Sequence, residues 1–169
     1  GIDAGATAVA IQEDNKIVIV GFATILPSND RVFVVMRLNC DGSLDQTFGT
    51  NGIASVSTNL RAVDAELLGN GRILIAGSLF YDNGSSDFAV MKLIPDGTID
   101  QAFANSGIAT VNQGINDNIN KIDVQNDGKI VFAGHTTDAG GAEAVGRLTD
   151  IGSLDVGFCS GGLFLRNFA

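Results

Sequence analysis

The stretch Lys16-Ile17-Val18-Ile19-Val20-Gly21 decides the fold, because it occurs three times in the chain. Its other two copies are Arg72-Ile73-Leu74-Ile75-Ala76-Gly77 and Lys129-Ile130-Val131-Phe132-Ala133-Gly134. The copies follow one another at intervals of about 55 residues, a period typical of repeat architectures. In such architectures each unit buries its apolar surface against its neighbours. The sequence therefore predicts three copies of one structural unit.

Two further motifs follow each copy and strengthen the repeat. The first pairs an apolar residue or glycine with a basic residue and a leucine, in Met36-Arg37-Leu38, Met91-Lys92-Leu93 and Gly146-Arg147-Leu148. The second carries an aspartate and a phenylalanine, in Leu44-Asp45-Gln46-Thr47-Phe48-Gly49, Ile99-Asp100-Gln101-Ala102-Phe103 and Leu154-Asp155-Val156-Gly157-Phe158. The basic residue and the aspartate keep the same spacing in every copy.

Each repeat contains strand and turn signals. In the second repeat the apolar run Val63–Leu68, the turn Gly69-Asn70-Gly71 and the run Arg72–Gly77 predict a β-hairpin. Ile53–Ser57 precedes this hairpin as a short strand, and Phe88–Leu93 follows it. No long segment has the 3.6-residue period of an amphipathic helix. We predict an all-β protein forming one domain over 1–169, with four strands per repeat and repeats at 1–52, 53–107 and 108–162.

Two folds use repeated four-stranded units, the β-propeller and the β-trefoil. Three units match the trefoil, but the strands Ile17–Val20 and Phe33–Met36 are apolar at consecutive positions. Consecutive apolar residues indicate a strand that is covered on both faces, as between two blades of a propeller. We therefore predict a propeller and keep the trefoil as the alternative.

The run Ile11–Gly21, followed by Met36–Gly52, resembles the delta-60 repeat, and Val124–Gly134 resembles it again. The resemblance covers nearly the whole chain in three copies. It implies β-propeller blades of a kind found in bacterial proteins, often large and exported or at the cell surface. It implies no catalytic residues. Ile151 and Gly146 depart from the pattern in the third repeat, which leaves the turn geometry there open.

The number of blades predicts self-association, because a closed propeller has about four to eight blades. In this interpretation the first repeat lacks its opening strand, while 163–169 forms a surplus closing strand. Exchange of that strand between two copies, through Leu163, Phe164 and Leu165, would give a homodimeric six-bladed ring. The alternative is that the chain is one piece of a longer array.

Composition limits the possible functions. Nineteen acidic residues against ten basic ones give a net charge of −9, which argues against nucleic acid and anionic lipid as partners. No apolar run reaches the roughly 18 residues of a membrane span, so membrane insertion is not expected. Because the sequence begins with Gly1, we expect a processed or excised chain, with upstream segments left open. Cys40 and Cys159 occupy non-equivalent positions and match no metal spacing.

The repeated charges are interpreted as structural. The basic positions Arg37, Lys92 and Arg147 and the acidic positions Asp45, Asp100 and Asp155 recur in every repeat. A ligand site could repeat in this way, but an ion pair or turn cap within each blade is the expected role. The oxygen side chains of Asn39–Asp45 hint at Ca²⁺, yet the later glutamate of an EF-hand is missing and an Asp-Gly turn explains them.

The non-repeating loops are the predicted place for ligand binding, since loops carry function on rigid scaffolds. They span 24–31, 79–87 and 136–142. The candidate residues in or beside these loops are Asn29, Asp30, Arg31, Phe80, Tyr81, Asp82, Asn83, His135 and Asp138. His135 is the only histidine, and no nucleophile motif, phosphate loop or zinc spacing accompanies it. We expect no catalytic, cofactor or metal residues.

Three functions remain possible from the sequence. The leading one is a non-catalytic binding or scaffold module for protein or glycan. A purely structural unit whose partner is itself is the second. The third is a hydrolase- or lyase-type enzyme using the central channel, which predicts clustered carboxylates with raised pKa values. The fold alone does not choose among them.

Overall fold

The computed structural model describes residues 3–25, 30–137 and 141–167, with the backbone only at residues 25, 30 and 31. These residues form twelve strands in three four-stranded antiparallel sheets. The strands are β1 (Ala4–Ile11), β2 (Ile17–Ile25), β3 (Asp30–Leu38), β4 (Ile53–Val56), β5 (Leu60–Leu67), β6 (Ile73–Phe80), β7 (Ser86–Leu93), β8 (Ile108–Val111), β9 (Asp117–Val124), β10 (Ile130–Thr136), β11 (Ala142–Leu148) and β12 (Leu163–Arg166). None of the described residues forms a helix long and apolar enough to cross a membrane.

Consecutive strands pair within each sheet, so the sheets are β1–β4, β5–β8 and β9–β12. We name them blade one, blade two and blade three. This arrangement corrects the strand assignment made from the sequence. Ile53 opens β4, which pairs with β3 and completes blade one, and Leu163–Arg166 forms β12, which pairs with β11. Blade one therefore has all four of its strands, and every strand among the described residues belongs to one of the three blades.

The reason for this error is that a repeat in sequence can begin at any point of the structural unit. The connection from Asn39 to Gly52 turns the chain back, so that β4 meets β3 with Ile53 opposite Met36. A short strand after a glycine is equally compatible with opening one blade or completing the previous one. Each structural blade is therefore offset by one strand from the sequence repeats.

The first two strands of each blade form the predicted hairpin. The first strand carries a bulge that brings its backbone close to the second strand, as between Ala62 and Asp64 in blade two. A side chain at Gly77 would meet the carbonyl oxygen of Arg61, which lies in this approaching segment. Gly21 and Gly134 occupy the same position beside the bulges of the other blades. This close approach explains the glycine that ends all three copies of the defining stretch.

The Asp-Gly turns after β3, β7 and β11 share one geometry. Gly42, Gly97 and Gly152 all have φ between 85° and 91°, in the left-handed region that glycine adopts without strain. In blade three the residue before the glycine is Ile151, yet Gly152 N still donates to Thr149 O at 3.0 Å. The turn is kept because the glycine, and not the preceding residue, supplies the unusual backbone conformation.

The three blades stack face to face through two apolar clusters. The cluster between blades one and two includes Val18, Val20, Phe33 and Val35 from one side and Ile73, Ile75, Ala89 and Met91 from the other. The cluster between blades two and three includes Leu74, Ala76, Phe88 and Val90 against Ile119, Ile130, Phe132 and Ala144. Three separate sheets stacked in this way are propeller blades, and the trefoil alternative is wrong.

Within the described residues, only blade two is covered on both faces, and consecutive apolar residues of β6 and β7 are buried. The sequence predicted such coverage for Ile17–Val20 of β2 and Phe33–Met36 of β3, where buried and half-buried residues alternate instead. The prediction is wrong for blade one because only one of its faces packs against another described blade. The first strands β1, β5 and β9 contact one another in succession and so form the inner side of the stack. In blade two the connection between β6 and β7 lies at one end of the strands, which we call the loop end, and the turn between β5 and β6 lies at the other, which we call the hairpin end.

Candidate functional site

The repeated arginine and aspartate form an ion pair inside blade one. Arg37 Nε donates to Asp45 Oδ2 at 2.7 Å, and Lys16 Nζ lies 3.2 Å from the same oxygen. The Arg37 guanidinium also stacks on the Phe48 ring, 4.6 Å from its centroid. Its Nη1 donates to the backbone oxygen of Pro95 in blade two at 2.6 Å. The group therefore fixes the β3–β4 connection and ties it to the next blade.

Blade three repeats this arrangement and blade two modifies it. Arg147 Nε donates to Asp155 Oδ2 at 2.9 Å, and its guanidinium lies 4.7 Å from the centre of the Phe158 ring. In blade two the basic residue is Lys92, whose Nζ lies over Phe103 and donates to Asp150 O in blade three at 3.2 Å. Asp100 is instead bound by Arg72 Nε at 3.3 Å. Each connection between a third and a fourth strand thus places a cation over its own phenylalanine ring.

Hydrogen bonds to the carboxylates lower their pKa values. For Asp45 the Thr47 hydroxyl is the largest cause; burial opposes the shift, and the Thr47 N–H, Lys16 and Arg37 add to it, leaving the pKa far below its usual range. For Asp155 burial raises the pKa, but Lys129, the Gly157 N–H and Arg147 outweigh it. Both groups are held as carboxylates, which suits permanent ion pairs and not proton transfer.

Among the candidate loop residues, Tyr81 and Asn83 of the 79–87 loop are held by hydrogen bonds within that loop. Tyr81 Oη donates to Asp87 Oδ2 at 2.7 Å, which with burial raises the pKa of Tyr81 to about 12. Asn83 Oδ1 accepts the N–H and the hydroxyl of Ser85, closing a tight turn beside the exposed Asp82. These contacts indicate that the 79–87 loop is held by its own polar side chains.

The remaining loop candidates are only partly described. Asn29 and Asp138 lie outside the described residues. Asp30 and Arg31 begin β3, and only their backbone is described. His135 lies half-buried in β10, opposite Glu143 of β11. The structure brings Phe80, Tyr81, Asp82 and Asn83 into one loop but gives no evidence that joins them to His135.

The sequence analysis did not identify two buried carboxylates, those of Asp64 and Asp117, as candidate site residues. Asp64 in β5 accepts Lys121 Nζ at 2.9 Å and the Ile122 N–H at 3.0 Å, so it connects blade two to blade three. Asp117, fully buried, accepts the N–H groups of Gln113 and Gly114 through Oδ2. Its Oδ1 has no hydrogen-bond partner among the residues that the structure describes. The only sequence signal was a lone aspartate in an apolar strand or at a strand start.

An open groove of about 660 Å³ lies at the hairpin end, between blades one and two. Glu13, Asp14, Lys16 and Glu66 are among its lining residues. Burial raises the pKa of Glu66, Asp123 and Asp64 raise it further, and Lys121 opposes them. Among the described residues no group of three histidine, cysteine, aspartate or glutamate side chains could hold a metal ion. Cys40 and Cys159 are exposed and unbonded.

The outer face of blade one is apolar across all four strands. Strand pairing places Val9, Ile19, Met36 and Ile53 in one row and Ile11, Ile17 and Leu38 in the next. Val9 and Ile11 are 67% and 68% exposed. The equivalent residues of blade two, such as Ile75 and Met91, are fully buried against blade one. We call this surface the front face of blade one.

The outer face of blade three is mixed. Pairing places Lys121, Ala133, Val145 and Phe164 in one row and Asp123, Val131 and Arg147 in the next. Phe164 is 44% exposed, whereas its neighbour Leu163 is buried in the cluster with blade two. We call this surface the back face of blade three. Of the three residues predicted for self-association, Leu163 therefore lies in the core and Phe164 on this face, whereas Leu165 is opposite Ala144 and 39% exposed.

Three stacked four-stranded blades, joined by the same ion-paired connections, define a β-propeller repeat protein. Comparison with known families agrees and is more specific. The chain belongs to the family described as "Domain of unknown function (DUF5122) beta-propeller", whose model matches residues 12–48, 68–103 and 125–158. The three matched stretches cover more than half of the chain and coincide with the three repeats. No curated protein matches the chain.

Proposed function

We propose that this chain is a non-catalytic propeller scaffold that assembles with a second copy of itself into a six-bladed ring. The observation that carries the proposal is the front face of blade one, an apolar surface four strands wide on which Val9 and Ile11 are exposed and the residues of β2, β3 and β4 are half-buried. Patches of this kind mark interaction sites. The proposal includes the finer assignment of the repeats as delta-60 repeats, which rests on the motifs in Ile11–Gly21 and Met36–Gly52.

The second copy is the favoured occupant because the molecule carries both halves of a blade interface. Front-face residues of blade one correspond one by one to residues that blade two buries against its neighbour. Met36 corresponds to Met91, Ile19 to Ile75 and Ile17 to Ile73. A surface with this composition fits the back of a propeller blade.

The back face of blade three supplies such a surface. Val131, Ala133 and Val145 stand where blade two has Leu74, Ala76 and Val90, the residues that blade two packs against blade three. Charged residues are also found at positions where blade two carries charge within its covered face. Lys121, Asp123 and Arg147 correspond there to Asp64, Glu66 and Lys92.

Two copies joined in this way close a ring. Blade three of each copy would pack on blade one of the other, giving two identical interfaces related by a two-fold axis. Six blades lie within the range of about four to eight that closed propellers have. One departure weakens the interface: Glu143 stands where blade two has Phe88. We therefore expect the interface between copies to be weaker than the interfaces between blades of one chain.

The loop end of the ring is the proposed surface for further partners, protein or glycan, since these loops differ from blade to blade. A purely structural role, with the second copy as sole partner, is the narrower version of the same proposal. An enzyme acting in the channel is favoured by one observation only, the raised pKa of Glu66 in the open groove. Export to the cell surface is proposed from the family resemblance.

Light scattering during size-exclusion chromatography tests the assembly. We expect about 35 kDa, twice the 17.5 kDa of one chain. Met36→Glu places a charge in the centre of the front face and should give a folded monomer. Ile115→Glu is the matched control, because Ile115 is 63% exposed in the linker between blades two and three and away from both faces. A folded monomer of the unaltered chain would overturn the proposal.

A further inference from the structure

The phenylalanine in the connection between third and fourth strands packs on a glycine of the next blade. A side-chain carbon at Gly97 of blade two would lie 2.9 Å from the Phe48 ring of blade one. One at Gly152 of blade three would lie 2.8 Å from the Phe103 ring of blade two. Both rings are almost fully buried. The turn after the third strand of a blade is therefore the place where the ring of the preceding blade is held.

Two hydrogen bonds accompany the ring at both interfaces. The Gly49 N–H donates to Asp96 O at 2.7 Å, and the Ala104 N–H donates to Ile151 O at 2.8 Å. The cation of each connection donates to the carbonyl oxygen one residue earlier in the same turn. We call the ring, the N–H and the cation of a connection its clamp. The clamp of one blade thus contacts three successive residues of the next blade.

Blade three carries the clamp residues, but no described turn lies against them. They are Phe158, Cys159 and Arg147. Phe158 is only half-buried, unlike the rings of the other two clamps. The Cys159 N–H has no acceptor in the described parts of the chain, although its φ of 47° repeats the left-handed conformation of the equivalent residues. Arg147 Nη1 lies 3.4 Å from Gln125 Oε1 of the same blade, farther than the about 2.7–3.2 Å of an ordinary hydrogen bond.

Blade one carries the complementary turn, formed by Cys40, Asp41 and Gly42. Gly42 is exposed, whereas Gly97 and Gly152 are buried under the rings of the preceding blades. No described atom lies within 4 Å of the position that a side-chain carbon would take at Gly42. No donor among the described residues reaches the carbonyl oxygens of Cys40 and Asp41. The turn thus offers the same acceptors as the other two turns without a clamp on it.

We propose that the clamp of blade three binds the turn of blade one in a second copy of the chain. The three contacts are Phe158 on Gly42, the Cys159 N–H with Asp41 O, and Arg147 Nη1 with Cys40 O. A second copy is the occupant because one chain carries both the open clamp and the open turn, and both interfaces within the chain join these parts in this way. The inference rests on the proposed assembly and fixes its direction, since unlike ends of the two copies meet.

The two cysteines of the chain report on this contact. In the proposed interface Cys159 of one copy bonds to the residue that follows Cys40 of the other, so their thiols become neighbours. The variants Cys40→Ser and Cys159→Ser each keep one cysteine. A short bis-maleimide crosslinker should join the two variants when they are expressed together, but neither variant to itself. Crosslinking within one variant, or none between the two, would overturn the proposal.

A second test adds one carbon atom to the turn. Gly42→Ala should raise the dissociation constant of the dimer at least about tenfold, because the added carbon would meet the Phe158 ring of the second copy. Gly84→Ala is the matched control, since Gly84 has the same φ of 85° and no described atom within 4 Å of the added carbon. Sedimentation velocity over a dilution series measures both dissociation constants. Equal values for the two variants would contradict the proposal.

The contact and the assembly can fail separately. A dimer by light scattering whose two cysteine variants do not crosslink would overturn the clamp and leave the proposed assembly in place. A folded monomer at every protein concentration would overturn both. A dimer with the mixed crosslink and a selective effect of Gly42→Ala supports both.

Discussion

Blade one and blade two carry nearly the same apolar residues on their front faces, yet only one of these faces is covered. Met91 of blade two is fully buried, while Val9 and Ile11 of blade one are more than two-thirds exposed. Their surroundings differ because blade two packs against blade one on this side, whereas no described strand packs on the front face of blade one. Apolar residues on the face of a blade therefore indicate that the face can pack against another blade. Their exposure shows whether a described blade packs there.

The same two blades differ in charge on their inner strands. Blade two has Asp64 and Glu66 where blade one has Ala8 and Ala10. Asp64 is used as a connection to blade three, and Glu66 lies beside it with a raised pKa. Blades one and two thus share the apolar pattern, whereas their charged residues differ according to the blade that each one faces.

The variants Met91→Glu and Met36→Glu test this comparison, and we expect from them the largest difference in the free energy of unfolding. A charge at Met91 would be buried without a partner, so we expect a loss of about 4 kcal/mol or more in the free energy of unfolding. Met36→Glu should change the stability of the isolated chain by less than about 1 kcal/mol, since its charge can reach water. Urea unfolding measures both. Equal losses would mean that the front face of blade one is covered in solution, either by a second copy or by another part of the chain.

Part of the fold could be predicted from the sequence. The three repeats and their four strands follow from the period and the turn signals. Consecutive apolar residues in β2 and β3 predicted burial on both faces, but only β6 and β7 have it, because the residue pattern does not show whether a neighbouring blade is present. The sequence did not predict which strand completes each blade. The residue pattern of the strands that begin at Ile53 and Leu163 is compatible with either of two blades. Pairing across a fourteen-residue connection (Asn39 to Gly52) decides it.

The site was less predictable than the fold. The recurrence of Arg37 and Asp45 suggested a structural pair, and the structure places them in contact. Asp64 could not be assigned a role because its partner, the Ile122 N–H, lies on another blade.

The second prediction separates the two contacts of Asp64. Asp64→Ala leaves the buried Ile122 N–H without an acceptor and should cost about 1–3 kcal/mol of unfolding free energy. Lys121→Ala removes only the ion pair with a lysine side chain that is 76% exposed, and should cost less than about 1 kcal/mol. Thermal or urea unfolding compares them. If both variants lose the same stability, the ion pair and not the backbone contact joins blades two and three.

The third prediction compares the ion pairs of blades one and two. Asp45 accepts from Arg37 and Lys16 and is 5% exposed, whereas Asp100 accepts from Arg72 and is 15% exposed. We expect Asp45→Asn to cost about 1–2 kcal/mol and Asp100→Asn to cost less. Urea unfolding at pH 7 measures the two losses, and a larger loss for Asp100→Asn would contradict the ranking.

The pH dependence of the Asp45 variant follows from the lowered pKa of that group. The folded state stabilises the ionised carboxylate of Asp45. The contribution of Asp45 to the free energy of unfolding is therefore fully present above the unfolded-state pKa of about 3.9. It is lost as the pH falls through the lower folded-state value. The stability difference between the unaltered chain and Asp45→Asn should therefore shrink below about pH 4. A constant difference from pH 7 to pH 2.5 would show that the charge of Asp45 is not what stabilises the connection.

The smallest expected effect is at Glu66, which replaces an alanine of blade one and has the opposite pH dependence. Its folded-state pKa is raised, first by burial and then by Asp123 and Asp64, so the folded protein favours the protonated form. Stability is lost as the pH rises from the unfolded-state pKa of about 4.3 toward the higher folded-state value. Glu66→Gln should therefore stabilise the chain at pH 7 by less than about 1 kcal/mol, because water screens the half-buried carboxylate. The gain should disappear below about pH 4. Urea unfolding at pH 7 and pH 3.5 measures it, and destabilisation at pH 7 would mean that the carboxylate of Glu66 makes a favourable contact that outweighs its burial and its acidic neighbours.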